Sequence, residues 1–273
     1  MSSWARVSRA HAARVVGSFW AVSFAAEADA YDRFMGRYSA PLATVFADFV
    51  GVVDGLSVLD VGCGPGALVD ELVRRVGSED VAGVDPSDSF VRAVQERHPA
   101  VNVRRAAAEQ LPFEDRTFDA TMAQLVVHFM KAPVVGLREM ARVTRRRGSV
   151  AACVWDHGGG GGPLRVFWNA ARELDRDVDD ESRLAGAREG HLAQLFREAD
   201  LHSIEDTSLS ITVDHPTFED WWEPFTLGVG PAGAYVAGLD VTRQERLRER
   251  CRDLLPTAPF ALTARAWAAR GLA

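Results

Sequence analysis

The hydrophobic pattern between residues 58 and 85 alternates short apolar runs with one helical repeat. Residues 58–61 and 80–84 are short, largely apolar runs, and residues 67–76 between them are apolar at positions 68, 69, 72, 73 and 76. Short β-branched runs are typical of strands buried on both faces, and the second spacing is typical of a helix with one buried face. The pattern therefore predicts a strand–helix–strand unit.

The same pattern continues along the chain and predicts an α/β fold. Further strands are expected at residues 101–105, 117–124, 148–155, 203–213 and 261–267, with helices at 133–145 and 191–199 and within a helical region at 218–255 that has a glycine-rich loop at 228–238. Five glycines at 158–162 predict a flexible break, and residues 175–181 an acidic, solvated turn. We expect one domain over residues 31–273, with an N-terminal extension at 1–30 and helical insertions at about 158–190 and 216–256 on the substrate side.

A glycine loop follows the first predicted strand. Gly62, Gly64 and Gly66 lack a Cβ, so they can adopt positive φ and let a ligand approach the main chain, next to the free amides of the following helix. Asp85 ends the second strand 19 positions beyond Gly66, near the position of the ribose-binding acid in dinucleotide-type units. The whole unit predicts a nucleoside-bearing ligand. The loop alone also fits a loose nicotinamide dinucleotide pattern, so it does not choose the cofactor.

Four motifs in order carry a more specific resemblance. They are Leu59–Gly66, Gly83–Ser87, Ala108–Asp119 and Leu137–Thr144 with a turn at Gly148. Together they resemble the class I S-adenosylmethionine-dependent methyltransferases, in particular the small-molecule group similar to ubiquinone and menaquinone biosynthesis enzymes. The resemblance covers about residues 31–156. It implies a Rossmann-like, seven-stranded, mostly parallel sheet with an antiparallel last strand, helices on both faces and a helical lid.

The resemblance also implies a reaction and a set of cofactor contacts. A methyl group would pass from S-adenosylmethionine to an oxygen, carbon or nitrogen of a small molecule by in-line displacement, leaving S-adenosylhomocysteine and requiring no metal. The implied contacts are Asp60, Gly62, Cys63, Gly64 and Gly66 for the methionine end, Asp85 with Pro86 for the ribose, Ala108 and Glu109 for the adenine, and Gln124 near the sulfonium. Ala107 stands where many relatives have an aspartate that binds the adenine amino group.

Candidate catalytic residues lie just past the fourth and fifth predicted strands. His128 follows the fourth, and Asp156 and His157 follow the fifth, at the strand ends where α/β folds form their binding crevice. A hydroxyl or amine acceptor needs a base, and a histidine suits that role. A purely structural role for His128 remains an alternative.

Aromatic residues suggest where an acceptor binds. Tyr31 and Tyr38 share a helical face with Arg37 before the first strand, and Trp221 and Trp222 lie between the last two strands. Pockets for small ligands are mainly apolar and aromatic, so we expect an apolar or aromatic acceptor. Arg37 could pair with the methionine carboxylate. Packing of Arg37 on the surface, and of the tryptophans on the core, are the alternatives.

Composition narrows the partners. A formal net charge of −7 argues against a nucleic-acid substrate, and we expect Arg145–Arg147 to close the helix at 133–145. Three cysteines without CxxC spacing and seven histidines without ligand spacing predict no metal site and a reducing, cytoplasmic location. No apolar run reaches the roughly 20 residues that span a bilayer.

Two questions stay open at this level. Basic residues before the apolar stretch 15–26, and Ala26-x-Ala28 after it, have the outline of a secretory signal, but an overlong start or a helix near the cofactor is preferred. An inactive cofactor-binding protein is the alternative to a methyltransferase, and an NAD(P)-dependent oxidoreductase is a remote one. The acceptor and the oligomeric state are not predicted.

Overall fold

Seven strands form one central sheet in the computed structural model, which describes residues 28–273. The expectations for the stretch 15–26 and for a signal sequence lie outside the described residues. The strands are β1 (Val58–Val61), β2 (Val81–Asp85), β3 (Asn102–Arg105), β4 (Phe118–Gln124), β5 (Thr144–Trp155), β6 (His202–His215) and β7 (Phe260–Leu272). The helices are α1 (Ala28–Tyr31), α2 (Arg37–Val50), α3 (Ala67–Val76), α4 (Asp88–Arg97), α5 (Pro133–Val143), α6 (Arg165–Leu174), α7 (His191–Glu198), α8 (Phe218–Trp222), α9 (Gly230–Ala237) and α10 (Val241–Leu254).

The sheet has the order β3-β2-β1-β4-β5-β7-β6. The pairs from β3 to β5 are parallel, and β7 runs antiparallel to both of its neighbours, β5 and β6. The predicted fold class is therefore confirmed, including the single antiparallel last strand. Since the order reverses between β1 and β4, the carboxyl ends of these two strands border the crevice in which such sheets bind ligands.

Both faces of the sheet are covered by apolar side chains. Val58 belongs to one buried cluster with Phe46 and Leu72, whereas its neighbour Leu59 belongs to a second cluster with Leu137. Successive strand residues point to opposite faces, so this alternation places helices on both sides of β1.

The predicted helix at 133–145 ends earlier, and the basic run Arg145–Arg147 lies in β5 instead of closing the helix. Thr144 is already extended, its hydroxyl donates to the carbonyl of Met140 at 2.7 Å, and it pairs with Phe118 of β4. Strand pairing therefore takes over at Thr144. The prediction that the arginines cap the helix is wrong because this pairing depends on a distant part of the chain.

Two glycine-rich segments are more regular than predicted. The expected loop at 228–238 contains α9, and a Cβ on Gly233 would lie 2.7 Å from the carbonyl carbon of Gly228. Glycine there lets the helix fold back on the preceding turn. The glycines at 158–162 form a hydrogen-bonded turn, in which Gly161 and Gly162 donate to the carbonyl of Asp156 at 3.0 and 2.9 Å.

Within residues 28–273, no helix is both long and apolar enough to cross a membrane.

Candidate functional site

The glycine loop sits at the carboxyl ends of β1 and β2. The amides of Gly62 and Cys63 donate to the carbonyl of Val84 at 2.7 and 2.9 Å, which ties the loop to β2. Gly62 has φ of 74°, and a Cβ there would lie 2.5 Å from the side chain of Val126. Gly64 has φ of 52°, and a Cβ there would meet nothing within 4 Å. The loop backbone therefore packs on one side and faces open space on the other.

Two buried carboxylates lie next to this loop. Asp85 accepts hydrogen bonds from the amides of Gly64 at 3.0 Å and Ser87 at 2.8 Å. Burial raises the pKa of Asp85 to about 6, although these two amides oppose the shift. Asp60 is only 1 % exposed, and no residue in the described chain donates to either of its carboxylate oxygens. Burial, and then the charge of Asp85, raise the pKa of Asp60 well above its ordinary value.

We call the space beside this loop the donor cavity. It encloses about 380 Å³, part of it open to solvent. Gln124 donates from Nε2 to the carbonyl of Ser39 at 3.0 Å, while its Oε1 has no partner in residues 28–273. The lining residues are Tyr31, Asp32, Gly36, Ser39, Asp60, Gly62, Cys63, Gly64, Pro65, Ala67, Leu68, Gln124 and Leu125. Unpartnered oxygens on Asp60 and Gln124 fit a ligand with a cationic or N–H group.

We call the neighbouring space the acceptor cavity. It encloses about 410 Å³, again partly open. Its lining residues are Tyr31, Phe34, Met35, Leu125, His128, Phe129, Trp155, His157, Leu164, Glu181, Val229, Gly230 and Pro231. Most are apolar, with two imidazoles and one carboxylate among them. Tyr31 and Leu125 line both cavities, so the two spaces share one wall.

Leu125 forms that wall in a strained conformation. Its φ is 61°, in the left-handed region that branched residues rarely adopt, and its amide donates to the carbonyl of Cys153 at 2.8 Å. Such strain concentrates at functional sites, where the surrounding structure holds it.

Two imidazoles and one carboxylate meet in the acceptor cavity. His128 lies in the turn Val127–Phe129 after β4 and is 8 % exposed, and its Nδ1 has no partner among the described residues. Burial, and then His157, hold the pKa of His128 well below its usual range. His157 Nε2 lies 3.8 Å from Glu181 Oε1, and Trp168 Nε1 donates to Glu181 Oε2 at 3.0 Å. The imidazole of His128 is thus neutral and available to a ligand.

Asp156 is held by other protein groups. Arg265 donates to its Oδ2 at 2.5 Å, Trp267 to its Oδ1 at 2.9 Å and the amide of Gly159 to the same oxygen at 2.7 Å. Burial alone would raise the pKa of Asp156, but these donors and the charge of Arg265 keep it low. The ionised carboxylate organises the glycine turn at 158–162, next to the acceptor cavity and not within its lining.

Four predicted site residues lie outside the walls of both cavities. Arg37 pairs with Asp220 at 2.7 Å, and Tyr38 shares a hydrogen bond with His215 at 3.1 Å. Trp221 and Trp222 are 2 % and 7 % exposed and pack around Phe225. None of the four is among the residues that line either cavity. Their side chains instead contact residues between 215 and 225.

The residues expected near the adenine and the ribose lie farther along the same sheet edge. Glu109 accepts the amide of Ala132 at 3.1 Å, Ala108 is buried, and the carbonyl of Pro86 accepts from Arg105 at 3.2 Å. Cys63 does line the donor cavity, and burial raises the pKa of its thiol well above the ordinary value. It remains a protonated, unreactive side chain.

Sequence reasoning missed several lining residues. Asp32 and Gly36 belong to a π-helical turn, Asp32–Gly36, which joins α1 to α2 above both cavities. Such π-turns occur often at functional sites, but no sequence signal announces them. Glu181 was expected in a solvated acidic turn and is instead buried, because Trp168 and His157 pack on it. Nothing in the local pattern distinguishes it from its exposed acidic neighbours.

Comparison with known proteins finds a methyltransferase domain in this chain. A methyltransferase-domain family model matches residues 59–152, the stretch from β1 into β5. The ubiquinone/menaquinone biosynthesis C-methyltransferase UbiE of Idiomarina loihiensis is 36% identical over 110 residues, which are 38% of this chain and 44% of that protein. This match and others like it span less than half the length of these relatives.

Two other matches extend over most of the chain. The uncharacterized protein Mb1438c of Mycobacterium bovis is 31% identical over 231 residues, 79% of this chain and 81% of that protein. A solved structure from Bacillus halodurans, described as that of a methyltransferase, has a TM-score of 0.56 at 15% identity and covers 84% of this chain and 97% of its own. The glycine loop, the two carboxylates, the sheet order and these matches agree, and the chain belongs to the class I S-adenosylmethionine-dependent methyltransferases.

Proposed function

We propose that this protein transfers a methyl group from S-adenosylmethionine to a small, apolar or aromatic acceptor. The observation that carries the proposal is the shared wall: Tyr31 and Leu125 line both the donor cavity and the acceptor cavity. Because the same two residues line both spaces, a ligand in one cavity would lie next to a ligand in the other. Bound S-adenosylmethionine would supply the methyl group as an electrophile on its positively charged sulfur.

The donor cavity offers groups suited to the polar end of that cofactor. Asp60 would bind its ammonium group, since a buried carboxylate without a donor is costly and gains most from a cation. Asp85 is not among the lining residues, but it is hydrogen-bonded to the amide of Gly64, which is, and it would accept hydrogen bonds from the ribose hydroxyls. The open side of Gly64 would let the ligand lie on the main chain. Roles for Pro86, Ala108 and Glu109 at the ribose and adenine remain predictions, as does a contact of Arg37 with the carboxylate.

The acceptor cavity would orient its ligand and exclude water. Phe34, Phe129 and Trp155 offer apolar walls, and Nδ1 of His128 would accept a hydrogen bond from the reacting hydroxyl or amine. Holding the two reactants in line can contribute about 7–11 kcal/mol to lowering a barrier in favourable cases. On this proposal, the segments 158–190 and 216–256 form the substrate side of a single domain.

Isotope transfer tests the proposal without knowledge of the acceptor. Purified protein would be incubated with extract metabolites and S-adenosylmethionine that carries a ¹³C-labelled methyl group, and mass spectrometry would search for compounds that gain the label. We expect labelled products that are absent with heat-treated protein. S-adenosylhomocysteine binding without any labelled product, in extracts of the source organism, would favour the inactive cofactor-binding alternative.

Thermal unfolding separates the cofactor classes. A ligand present at 100 times its Kd stabilises the native state by about 2.7 kcal/mol, which raises Tm by roughly 5–10 °C in a domain of this size. We expect S-adenosylhomocysteine to give such a shift and nicotinamide dinucleotides to give none. The reverse result would support an oxidoreductase.

A further inference from the structure

We propose that His128, His157 and Glu181 form a binding site for one divalent transition-metal ion of the zinc type in the acceptor cavity. The three residues come from three separate segments: the turn after β4, the chain just past β5 and the turn Glu181–Arg183. One nitrogen or oxygen from each lies within 4.8 Å of those of the other two. Two imidazoles and one carboxylate are a common ligand set for zinc and for iron(II).

The burial of these groups points to a ligand between them. Glu181 is 5 % exposed, and its Oε1 faces His157 Nε2 at 3.8 Å, beyond the range of a good hydrogen bond. Nδ1 of His128 is buried and has no partner among residues 28–273. A buried imidazole nitrogen without a partner is costly, and so is a buried carboxylate oxygen whose nearest imidazole nitrogen lies 3.8 Å away. A cation bound by these side chains would satisfy both.

A neighbouring side chain orients the carboxylate. Trp168 Nε1 donates to Oε2 of Glu181 at 3.0 Å, so Oε1 is left to face the imidazoles. Metal-binding carboxylates are typically held in this way by a hydrogen bond from outside the ligand set. Ligand atoms around a tetrahedral zinc ion lie about 3.4 Å apart for bonds of about 2.1 Å. The three ligand atoms lie within 4.8 Å of one another here, so small side-chain rotations would bring them to that spacing.

The place of the site gives the ion a role. All three side chains line the acceptor cavity, so the remaining coordination positions would open into it. An ion there would replace the direct hydrogen bond between the acceptor and His128, because the ion itself would bind an oxygen of the acceptor. It would select for a phenol, enol or other hydroxyl-bearing molecule with an apolar body. This role rests on the proposed methyl transfer, whereas binding of the ion does not.

Calorimetric titration of the full chain with Zn²⁺, after removal of metals with a chelator, tests the site. We expect one equivalent to bind in wild type, no binding of Mg²⁺ or Ca²⁺ at the same concentrations, and at least about a 100-fold loss of Zn²⁺ affinity in Glu181→Gln and His157→Ala. Trp168→Phe should lose about 10-fold, because the carboxylate then lacks its orienting donor. His202→Ala, a change at an exposed histidine on β6, should bind like wild type.

Two controls make the result decisive. S-adenosylhomocysteine should still raise the Tm of Glu181→Gln, which shows that the variant is folded and that the donor cavity is intact. Co²⁺ bound to wild type should give a visible spectrum without a thiolate charge-transfer band, since the three cysteines are not among the ligands. No Zn²⁺ binding by wild type, or binding that Glu181→Gln and His157→Ala leave unchanged, would overturn the proposal while leaving methyl transfer to be judged by isotope transfer alone.

Discussion

The donor and acceptor cavities share a wall but are built in different ways. The donor cavity is formed mainly by one continuous stretch, Asp60–Leu68. Gln124, Leu125 and four residues between 31 and 39 complete its walls. The acceptor cavity takes its walls from β4 and β5 ends, the π-turn and lid residues as distant as Glu181 and Val229. Main-chain geometry therefore fixes the first cavity, and side chains brought together by tertiary packing fix the second.

The ionisable groups at the two cavities also differ, in their chemistry and in the direction of their pKa shifts. Asp60 lines the donor cavity and Asp85 lies next to its glycine loop, and burial raises the pKa of both carboxyl groups. A cationic, hydroxyl-bearing ligand would stabilise their ionised forms. On the acceptor side, burial lowers the pKa of His128, so the imidazole is neutral amid apolar walls. Variants that affect one cavity should thus leave ligand binding in the other nearly unchanged.

The largest effect is expected from His128→Ala. The variant should lower the rate of methyl transfer to the acceptor by about 100-fold or more, since it removes the unpartnered nitrogen that we propose accepts a hydrogen bond from the reacting group. The affinity for S-adenosylhomocysteine should stay within about twofold of wild type, because His128 does not line the donor cavity. Initial rates and calorimetry measure the two quantities. Full activity would remove His128 from the mechanism, and His202→Ala serves as the matched control.

Asp60→Asn should act on the other cavity. Losing the charged partner of the ammonium group should weaken S-adenosylhomocysteine binding by about 10- to 150-fold, the equivalent of about 1.5–3 kcal/mol for a hydrogen bond to a charged group. The ligand-free variant should unfold at the same or a higher denaturant concentration, since the buried carboxylate has no donor in the described chain. Calorimetry and urea unfolding measure both effects. A variant that is less stable yet binds normally would contradict this role.

The contrast also explains what the sequence could predict. The glycine loop, Asp60 and Asp85 were predicted because strand, loop, helix and acid follow one another within about 30 residues, and local rules govern each step. The seven-stranded, mostly parallel sheet with an antiparallel last strand came from the family resemblance and is confirmed. Roles assigned to single site residues remain predictions.

The structural features that the sequence did not predict depend on contacts between distant segments of the chain. Glu181 ends an acidic stretch with the composition of a solvated turn, and only the packing of Trp168 and His157 buries it. Residues 230–237 contain two glycines and were expected in a loop, but they form a helix in the lid. Arg145–Arg147 entered a strand because Thr144 pairs with Phe118. In each case, contacts with distant segments override the structure that the local sequence favours.

A pH titration sharpens the description of the donor side. Burial raises the pKa of Asp85 to about 6, and on the proposed function its ionised form would accept hydrogen bonds from the ribose hydroxyls. Affinity for S-adenosylhomocysteine should then fall about tenfold from pH 7 to pH 5. Calorimetry at the two pH values measures this change. Asp85→Asn should bind more weakly at pH 7 and lose most of the pH dependence. An unchanged tenfold fall in that variant would assign the titration to another group.

The same group should affect folding with the opposite sign. Since the folded-state pKa of Asp85 lies above its ordinary value of 3.8, the ligand-free native state binds more protons than the unfolded state between these values. The contribution of Asp85 to the free energy of unfolding should therefore increase as the pH falls from above 6 toward 4. Urea unfolding of wild type and Asp85→Asn at pH 5 and pH 7 isolates this contribution, which should be absent in the variant.

The smallest effect is expected from Arg37→Gln, which tests where the donor cavity ends. If Arg37 binds the methionine carboxylate, the variant should lose more than tenfold in affinity for S-adenosylhomocysteine. Its guanidinium instead pairs with Asp220 at 2.7 Å, and both side chains are partly exposed, so we expect a change below about threefold and a stability loss of at most about 1 kcal/mol. Arg33→Gln is the matched control, since Arg33 lies in the π-turn just before Arg37 and forms an exposed ion pair with Glu223. Equal, small effects in the two variants would assign both arginines to holding the π-turn and the start of α2 against residues 220–223. Asp60 and Asp85 would then be the charged groups that bind the cofactor.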